Sequence, residues 1–201
     1  MGHAGMAAAA VRYLRSAGAP TAAEPYETMP RPVLRAVGDD ERPPVDAGEF
    51  RRVLGHFATG VTVVTAYDED GPAGFACQSF TSLSLDPPLV AFMVARTSAT
   101  WPRIARAGVF CVNVLGDHQG ELCRAFAVSG ADKFAGVTWS RSAATGSPLL
   151  AGVPAWIDCT IQTVHTGGDH LIVVGRVETL DADQDGAPLL FHQGRFGRFT
   201  S

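Results

Sequence analysis

Lysine is almost absent from this chain: Lys133 is the single lysine among 16 basic residues, and 20 acidic residues bring the formal net charge to −4. Such a balance gives no basic footprint for nucleic acid or for an anionic membrane. No apolar run approaches the ~20 residues that a membrane-spanning helix needs. The apolar stretch after Met6 is short, is interrupted by Arg12 and Arg15 and follows no basic segment, so it does not read as a secretory signal. Cys77, Cys111, Cys123 and Cys159 form no CxxC pair, and the six histidines are scattered. Reduced, buried cysteines in a cytoplasmic protein are therefore expected, and no metal site. GxSxG, HExxH and a GxGxxG after a strand are all missing, which removes hydrolase, zinc protease and Rossmann dehydrogenase readings.

What is present suits one globular domain with an extension. Hydrophobic residues make up 46% of the 201 residues and charged residues 18%, enough for a sizeable core. Residues 1–45 hold six of the 13 prolines and show no sustained hydrophobic period. They are expected to be a mobile extension, with at most a short helix near Ala7–Arg15. Asp46 with Glu49 three residues on predicts a capping box, opening an amphipathic helix of about three turns through Phe50, Val53, Leu54 and Phe57.

From Gly60 the period changes to that of strands. Val61–Tyr67 is β-branched, 68–72 is a turn, and Ala73–Ser79 returns as a hairpin strand. Leu89–Val94 and Val109–Leu115 are nearly continuous apolar strands, expected to be buried on both faces. Between them a short helix with Pro102 in its first turn is capped by Ser98 or Thr100. A second helix covers Gln119–Val128. Ala155–Val164 and His170–Leu180 pair around Thr166-Gly-Gly168, and a last strand or loop holds Leu189–Phe199. Many strands with few short helices imply a mainly β antiparallel barrel or sandwich, between which the pattern does not choose.

The residues with chemical potential cluster in Gly74-Phe-Ala-Cys-Gln-Ser-Phe-Thr-Ser-Leu-Ser-Leu-Asp-Pro-Pro-Leu-Val90. Ser79, Thr81, Ser82 and Ser84 pack hydroxyls and backbone N–H groups densely enough to hold a phosphate, yet serine and threonine are also ordinary turn residues. Thr59-Gly60-Val61-Thr62 lies where helix gives way to strand, and Gly60 reads either as a close approach by a ligand or as a helix C-terminal glycine. His170 follows Gly167-Gly168-Asp169 at a strand start, where an imidazole could meet a ligand or simply sit in a loop. Lys133 offers a compact point charge, although base composition can leave one lysine by chance. Phe134 could stack on a ring or belong to the core.

The 74–90 stretch resembles the signature of the short-chain flavin reductase family, the reductase components of two-component flavin monooxygenases. Phe50–Thr65, Phe110-Cys-Val-Asn-Val-Leu115 and Gly168-Asp-His-Leu-Ile-Val-Val-Gly-Arg-Val177 agree with that family and in its order, so the resemblance covers residues 46–199. Many members carry Asn at the position of Gln78 and Ala at that of Cys77. The Cys-Gln-Ser-Phe form resembles an actinobacterial branch that serves hydroxylases of phenolic steroid-degradation intermediates. The resemblance implies a Greek-key split β-barrel with short flanking helices over 46–201, dimerising with flavin at the interface. It implies FMN or FAD as flavin, NADH or NADPH as reductant, and a flavin-dependent monooxygenase as the partner. NADH is expected over NADPH because no basic cluster for a 2′-phosphate stands out.

Carried onto this chain, the resemblance places Thr59, Gly60, Val61 and Thr62 beside the isoalloxazine ring, with Cys77 and Gln78 at its edge. Cys77 itself is read as packing. Ser79, Ser82 and Ser84 become phosphate ligands, with Arg96 and Lys133 as counter-charges. Asn113 in the 110–115 stretch and Phe134 in Asp132-Lys-Phe134 join the cofactor set. His170 becomes the nicotinamide contact, oriented by Asp169, and Arg195-Phe196 resembles a basic-aromatic segment that covers the site. The same fold also hosts pyridoxine-phosphate-oxidase-like oxidases and non-catalytic flavin or haem carriers. The Gly-Asp-His stretch favours the reductase.

Overall fold

The structure is a computed structural model that describes residues 45–130, 132–183 and 186–199. All of the expected extension except Val45, including the helix near Ala7–Arg15, lies outside the described residues. Twelve strands and three helices make up the rest, so the chain is mainly β. Among the described residues no helix is long and apolar enough to cross a membrane.

Helix α1 (Ala47–Leu54) starts where Asp46 accepts hydrogen bonds from the N–H groups of Gly48 and Glu49 at 2.9 and 3.0 Å. Only half of the expected capping box forms. The Glu49 carboxylate turns away to Arg52, at 2.6 and 2.7 Å, and the helix stops at eight residues, nearer two turns than three.

Strand β2 (Thr62–Asp68) takes up the expected Val61–Tyr67 strand, and a two-residue strand β1 (Thr59–Gly60) precedes it. Next come β3 (Gly71–Cys77), β4 (Thr81–Leu85), β5 (Pro88–Ala95), helix α2 (Trp101–Ala107), β6 (Val109–Val114) and helix α3 (Gly120–Ala127). The chain ends through β7 (Trp139–Arg141), β8 (Pro148–Leu150), β9 (Ala155–Gly167), β10 (His170–Ala182), β11 (Leu189–His192) and β12 (Arg195–Arg198). The hydroxyl-rich segment is thus a strand, not a loop: β4 pairs with β5 around Asp86-Pro87. The short β7–β8 hairpin carries no hydrophobic alternation and is not legible in the sequence.

Seven strands form one antiparallel sheet in the order β3-β2-β6-β9-β10-β5-β4. A second sheet orders β1-β11-β12, and β7 pairs with β8. β3 and β5 also meet, but no backbone ladder joins them. In the link from β3 to β4, one side chain extends the β4–β5 pairing. Ser79 Oγ donates to the Met93 carbonyl at 2.9 Å and accepts from the Met93 N–H at 3.0 Å, doing for two backbone groups what a paired strand would do.

β2 is buried throughout its first five residues because its two faces feed two cores. Val64 and Ala66 join Phe92, Phe110, Val112, Ile104 and Val173. Val63, with Val61, joins Leu115, Cys123, Phe126, Leu150 and Leu189. Gly175 is needed where β10 crosses the first core, since a Cβ there would fall 2.3 Å from Phe110 Cζ. Helix α2 is clamped by Asp68 at the end of β2. Arg103 donates to both Asp68 oxygens and to the Gly71 and Pro72 carbonyls, and Arg106 adds a further bond. The Arg103 hydrogen bond, aided by Arg106, lowers the Asp68 carboxyl to about 2, so the clamp stays charged well below neutral pH.

Asn113, expected in the cofactor set, is placed in the core. It is fully buried; its Nδ2 donates to Thr65 Oγ1 at 3.0 Å and its Oδ1 accepts from the Leu150 N–H at 2.8 Å. With Thr65 Oγ1 donating to the Pro148 carbonyl at 2.6 Å, the pair pins β8 onto β2 and β6. An amide so occupied has nothing left for a ligand.

Candidate functional site

A cavity of about 810 Å³ opens where α3, the β5–α2 loop, the end of β3 and the C-terminal hairpin meet. Its apolar lining includes Val61, Phe75, Phe126, Phe191 and Phe196. Among the described residues no carboxylate lines it, whereas Arg124, Lys133 and His170 do. In a chain of net charge −4 that separation makes the cavity a preferred place for an anion.

Three local structures position the polar groups. At the end of β3, Thr62 Oγ1 donates to the Cys77 carbonyl at 2.8 Å, and Cys77 Sγ lies 3.3 Å from Ser79 Oγ. Burial pushes the Cys77 thiol up, so it stays protonated and acts as packing. Gln78, between them, is exposed into the cavity.

After β5 the chain turns through Thr97, Ser98 and Thr100, which all line the cavity. Ser98 Oγ accepts the Trp101 N–H at 3.2 Å and starts α2, while Thr100, at the cap position, makes no side-chain cap bond. The Arg96 N–H donates to the Asp169 carbonyl at 3.0 Å, tying this turn to the tip of the β9–β10 hairpin. There His170 pairs with Ala95 across β10 and β5, and so stands beside the hydroxyl turn. His170 Nδ1 and Asp169 Oδ1 are 2.8 Å apart. With Nδ1–H donated to Asp169, Nε2 is left as the reactive nitrogen. The same hydrogen bond lowers the Asp169 carboxyl.

The remaining wall is α3 and the segment after it. Phe134 packs edge-on against Phe126 and Trp139, with ring centroids at 5.1 and 6.0 Å, and so anchors the segment that carries Lys133. Lys133 Nζ donates to the Gly74 carbonyl at 3.2 Å, and burial lowers its pKa.

The structure thus brings Val61, Cys77, Gln78, Ser79, Lys133, His170 and Phe196 to one cavity. It does not bring the other expected residues there. Thr59 and Gly60 pair with β11, and Thr62 has its hydroxyl committed to Cys77. Ser82 and Ser84 lie on β4, the outer edge strand, and are not in the lining. Arg96 and Arg195 are exposed outside the lining, and Phe134 is one layer behind it. Asp169 touches His170 but lies outside the lining, its own side chain being solvent-exposed. Sequence reasoning missed Thr97, Thr100, Ser129, Arg124 and Phe191. The hydroxyls of 97–100 were visible, but only as a helix cap, and Arg124 looked like an ordinary basic residue in a last helical turn.

Residues 54–200 match the family described as flavin reductase like domain. The chain is 49% identical over 152 residues to the reductase subunit HsaB of a flavin-dependent monooxygenase from Rhodococcus jostii, covering 76% of this chain and 77% of that one. It is 49% identical over 161 residues to a flavin reductase from Pseudomonas putida, covering 80% and 94%. Among solved structures, the NADH:FAD oxidoreductase SgcE6 of Streptomyces globisporus C-1027 superimposes with a TM-score of 0.74 at 38% identity, covering 85% of this chain and 100% of that one.

Proposed function

The chain belongs to the flavin reductase like domain family, and from that premise we propose that it is an NADH-dependent flavin reductase supplying reduced flavin to a partner flavin-dependent monooxygenase. The observation that carries the reading is the cavity: aromatic and apolar walls for a planar ring, cations and hydroxyls for phosphates, no carboxylate, and an oriented histidine. FMN and FAD both fit such a lining. A bound flavin would accept hydride from reduced nicotinamide at its ring.

The chain's own residues supply placement. The side chains of Val61, Phe75 and Phe126 exclude water. Gln78 offers an amide that can both donate and accept toward the ring edge. Thr97, Thr100 and Lys133 offer donors for a flavin phosphate. His170, held at Nδ1 by Asp169, presents Nε2 to the nicotinamide carboxamide, fixing the approach that hydride transfer requires, about 3–3.5 Å between reacting atoms. The test is loss of NADH absorbance with FMN, FAD or riboflavin as acceptor. Absence of flavin-dependent NADH loss overturns the reductase and leaves an oxidase or a carrier.

The large sheet is read as a Greek-key split barrel in which β3 and β5 meet without a backbone ladder. A cytoplasmic location, where NADH is available, goes with the reaction. A homodimer is supported by apolar side chains that one copy leaves in solvent. Phe50, Val53, Leu54 and Phe57 are 50–76% exposed, and Leu83 and Leu85 on the β4 edge are 53% and 79% exposed. An amphipathic helix with its apolar side in water and a separate open strand edge with exposed leucines each fit a second copy of the same chain. Ser82 and Ser84 would then reach flavin only across that contact. A chain beginning at Val45 should sediment as a dimer and oxidise NADH within a few-fold of the full chain. A folded monomer would remove the dimer, and a folded but inactive shortened dimer would put residues 1–44 in the site.

A further inference from the structure

Arg124 has no part in the roles assigned so far, and its setting is unusual. It lines the cavity from the last turn of α3, one helical turn after Gly120. The Phe196 ring of the C-terminal hairpin fills the notch between them. A Cβ on Gly120 would sit 3.4 Å from Phe196 Cδ2, and the Arg124 guanidinium carbon lies 5.0 Å from the Phe196 ring centroid. Phe191, paired with Phe196 across β11 and β12, backs the ring at a centroid distance of 5.6 Å. The guanidinium is therefore held on an aromatic plate. Among the described residues its one ion-pair partner is Glu121, and the two side chains are 60% and 87% exposed. An ion pair in that much solvent contributes little and is readily exchanged for a better anion.

A guanidinium fixed on one face, lining a carboxylate-free cavity and with only an exchangeable partner, is suited to fork-shaped recognition of phosphate oxygens. Lys133 lies elsewhere in the lining. It borders a smaller adjoining cavity together with Ala99, Thr100 and Gly130, a lining that does not include Arg124. The cavity thus carries two separate cationic positions, and a mononucleotide flavin has one phosphate. We infer that Arg124, seated on Phe196, binds the diphosphate of a dinucleotide, either that of the nicotinamide reductant or that of FAD. This rests on the flavin reductase reading for the identity of the ligands. It also gives the C-terminal hairpin a role: it is the plate that holds the phosphate-binding arginine.

Titration calorimetry with NAD⁺, FAD, FMN and riboflavin on the full chain tests the assignment. Arg124→Gln should weaken NAD⁺ or FAD by about tenfold or more, the loss expected for a charge-assisted hydrogen bond, and leave FMN and riboflavin within twofold. A loss confined to NAD⁺ identifies the reductant's diphosphate; one confined to FAD identifies the flavin's. Phe196→Leu should reproduce the same selective loss in part, because it removes the plate and keeps the guanidinium. Unchanged affinity for both dinucleotides, FMN weakened as much as FAD, or riboflavin weakened with the rest overturns the inference. Wild-type protein that binds both dinucleotides, with Arg124→Gln selective as stated, but does not oxidise NADH would sink the reductase reading and leave the Arg124 assignment standing.

Discussion

His170→Ala should cut the rate of NADH-dependent flavin reduction by around tenfold or more while flavin affinity stays nearly unchanged; one decade corresponds to about 1.4 kcal/mol of lost transition-state placement. The expectation follows from geometry. The hairpin tip is fixed twice, by the Arg96 N–H on the Asp169 carbonyl and by the pairing of His170 with Ala95. Gly168, at φ 70°, makes the tight turn that brings the imidazole to the cavity. Asp169 then holds Nδ1, so the ring has one orientation. Removing the imidazole removes a directed contact without touching the cavity floor. Reduction of bound flavin by dithionite should be unaffected, because it needs no nicotinamide. Asp169→Asn should show a smaller loss of the same kind, since an amide can still hold the ring but no longer favours Nδ1–H. Stopped-flow bleaching of the flavin at saturating NADH separates the steps. An unchanged hydride-transfer rate together with unchanged NADH affinity would make His170 a loop residue only.

Strands with long β-branched or apolar runs were legible in the sequence because burial on two faces needs such runs. β5, β6 and the β9–β10 hairpin emerge close to their expected bounds. The β7–β8 hairpin was not, because it is held by tertiary polar contacts from Asn113 and Thr65 and not by its own pattern. That same network places Asn113 in the core rather than in the cavity lining. A buried asparagine inside a family stretch can serve the backbone as well as a cofactor, and only the partners decide. The site was half legible. Residues adjacent in sequence to a recognisable stretch, such as Cys77–Ser79 and Asp169–His170, come together as expected. Ser82 and Ser84 do not, because they lie on β4, the edge strand of the large sheet, outside the cavity lining. Arg124 and Phe196 are 72 positions apart by their numbers, and nothing local announces that one ring will seat the other.

The second large effect is expected at Lys133. Its ammonium shares two linings with the hydroxyl turn: Lys133 and Thr100 both line the main cavity and the smaller one beside it. Nζ spends one N–H on the Gly74 carbonyl, leaving two for a ligand. Lys133→Met keeps the length of the side chain and the Phe134 anchor but removes the charge. FMN affinity should fall about ten- to a hundredfold, from the ~1.5–3 kcal/mol of a hydrogen bond to a charged group. Riboflavin, which has no phosphate, should be unaffected. Burial lowers the pKa of this amine from its usual 10.5. The charged form is therefore present in full below that lowered value and is lost as pH rises through it. In the free protein this happens at a lower pH than for an exposed lysine. FMN affinity should accordingly decline with rising alkaline pH before an ordinary lysine would titrate, and the decline should vanish in Lys133→Met. Fluorescence titration of both flavins across that range decides it. A riboflavin affinity that falls in parallel with that of FMN, or an FMN affinity indifferent to the substitution, would remove Lys133 from the phosphate and leave it as a strut between the α3–β7 segment and β3.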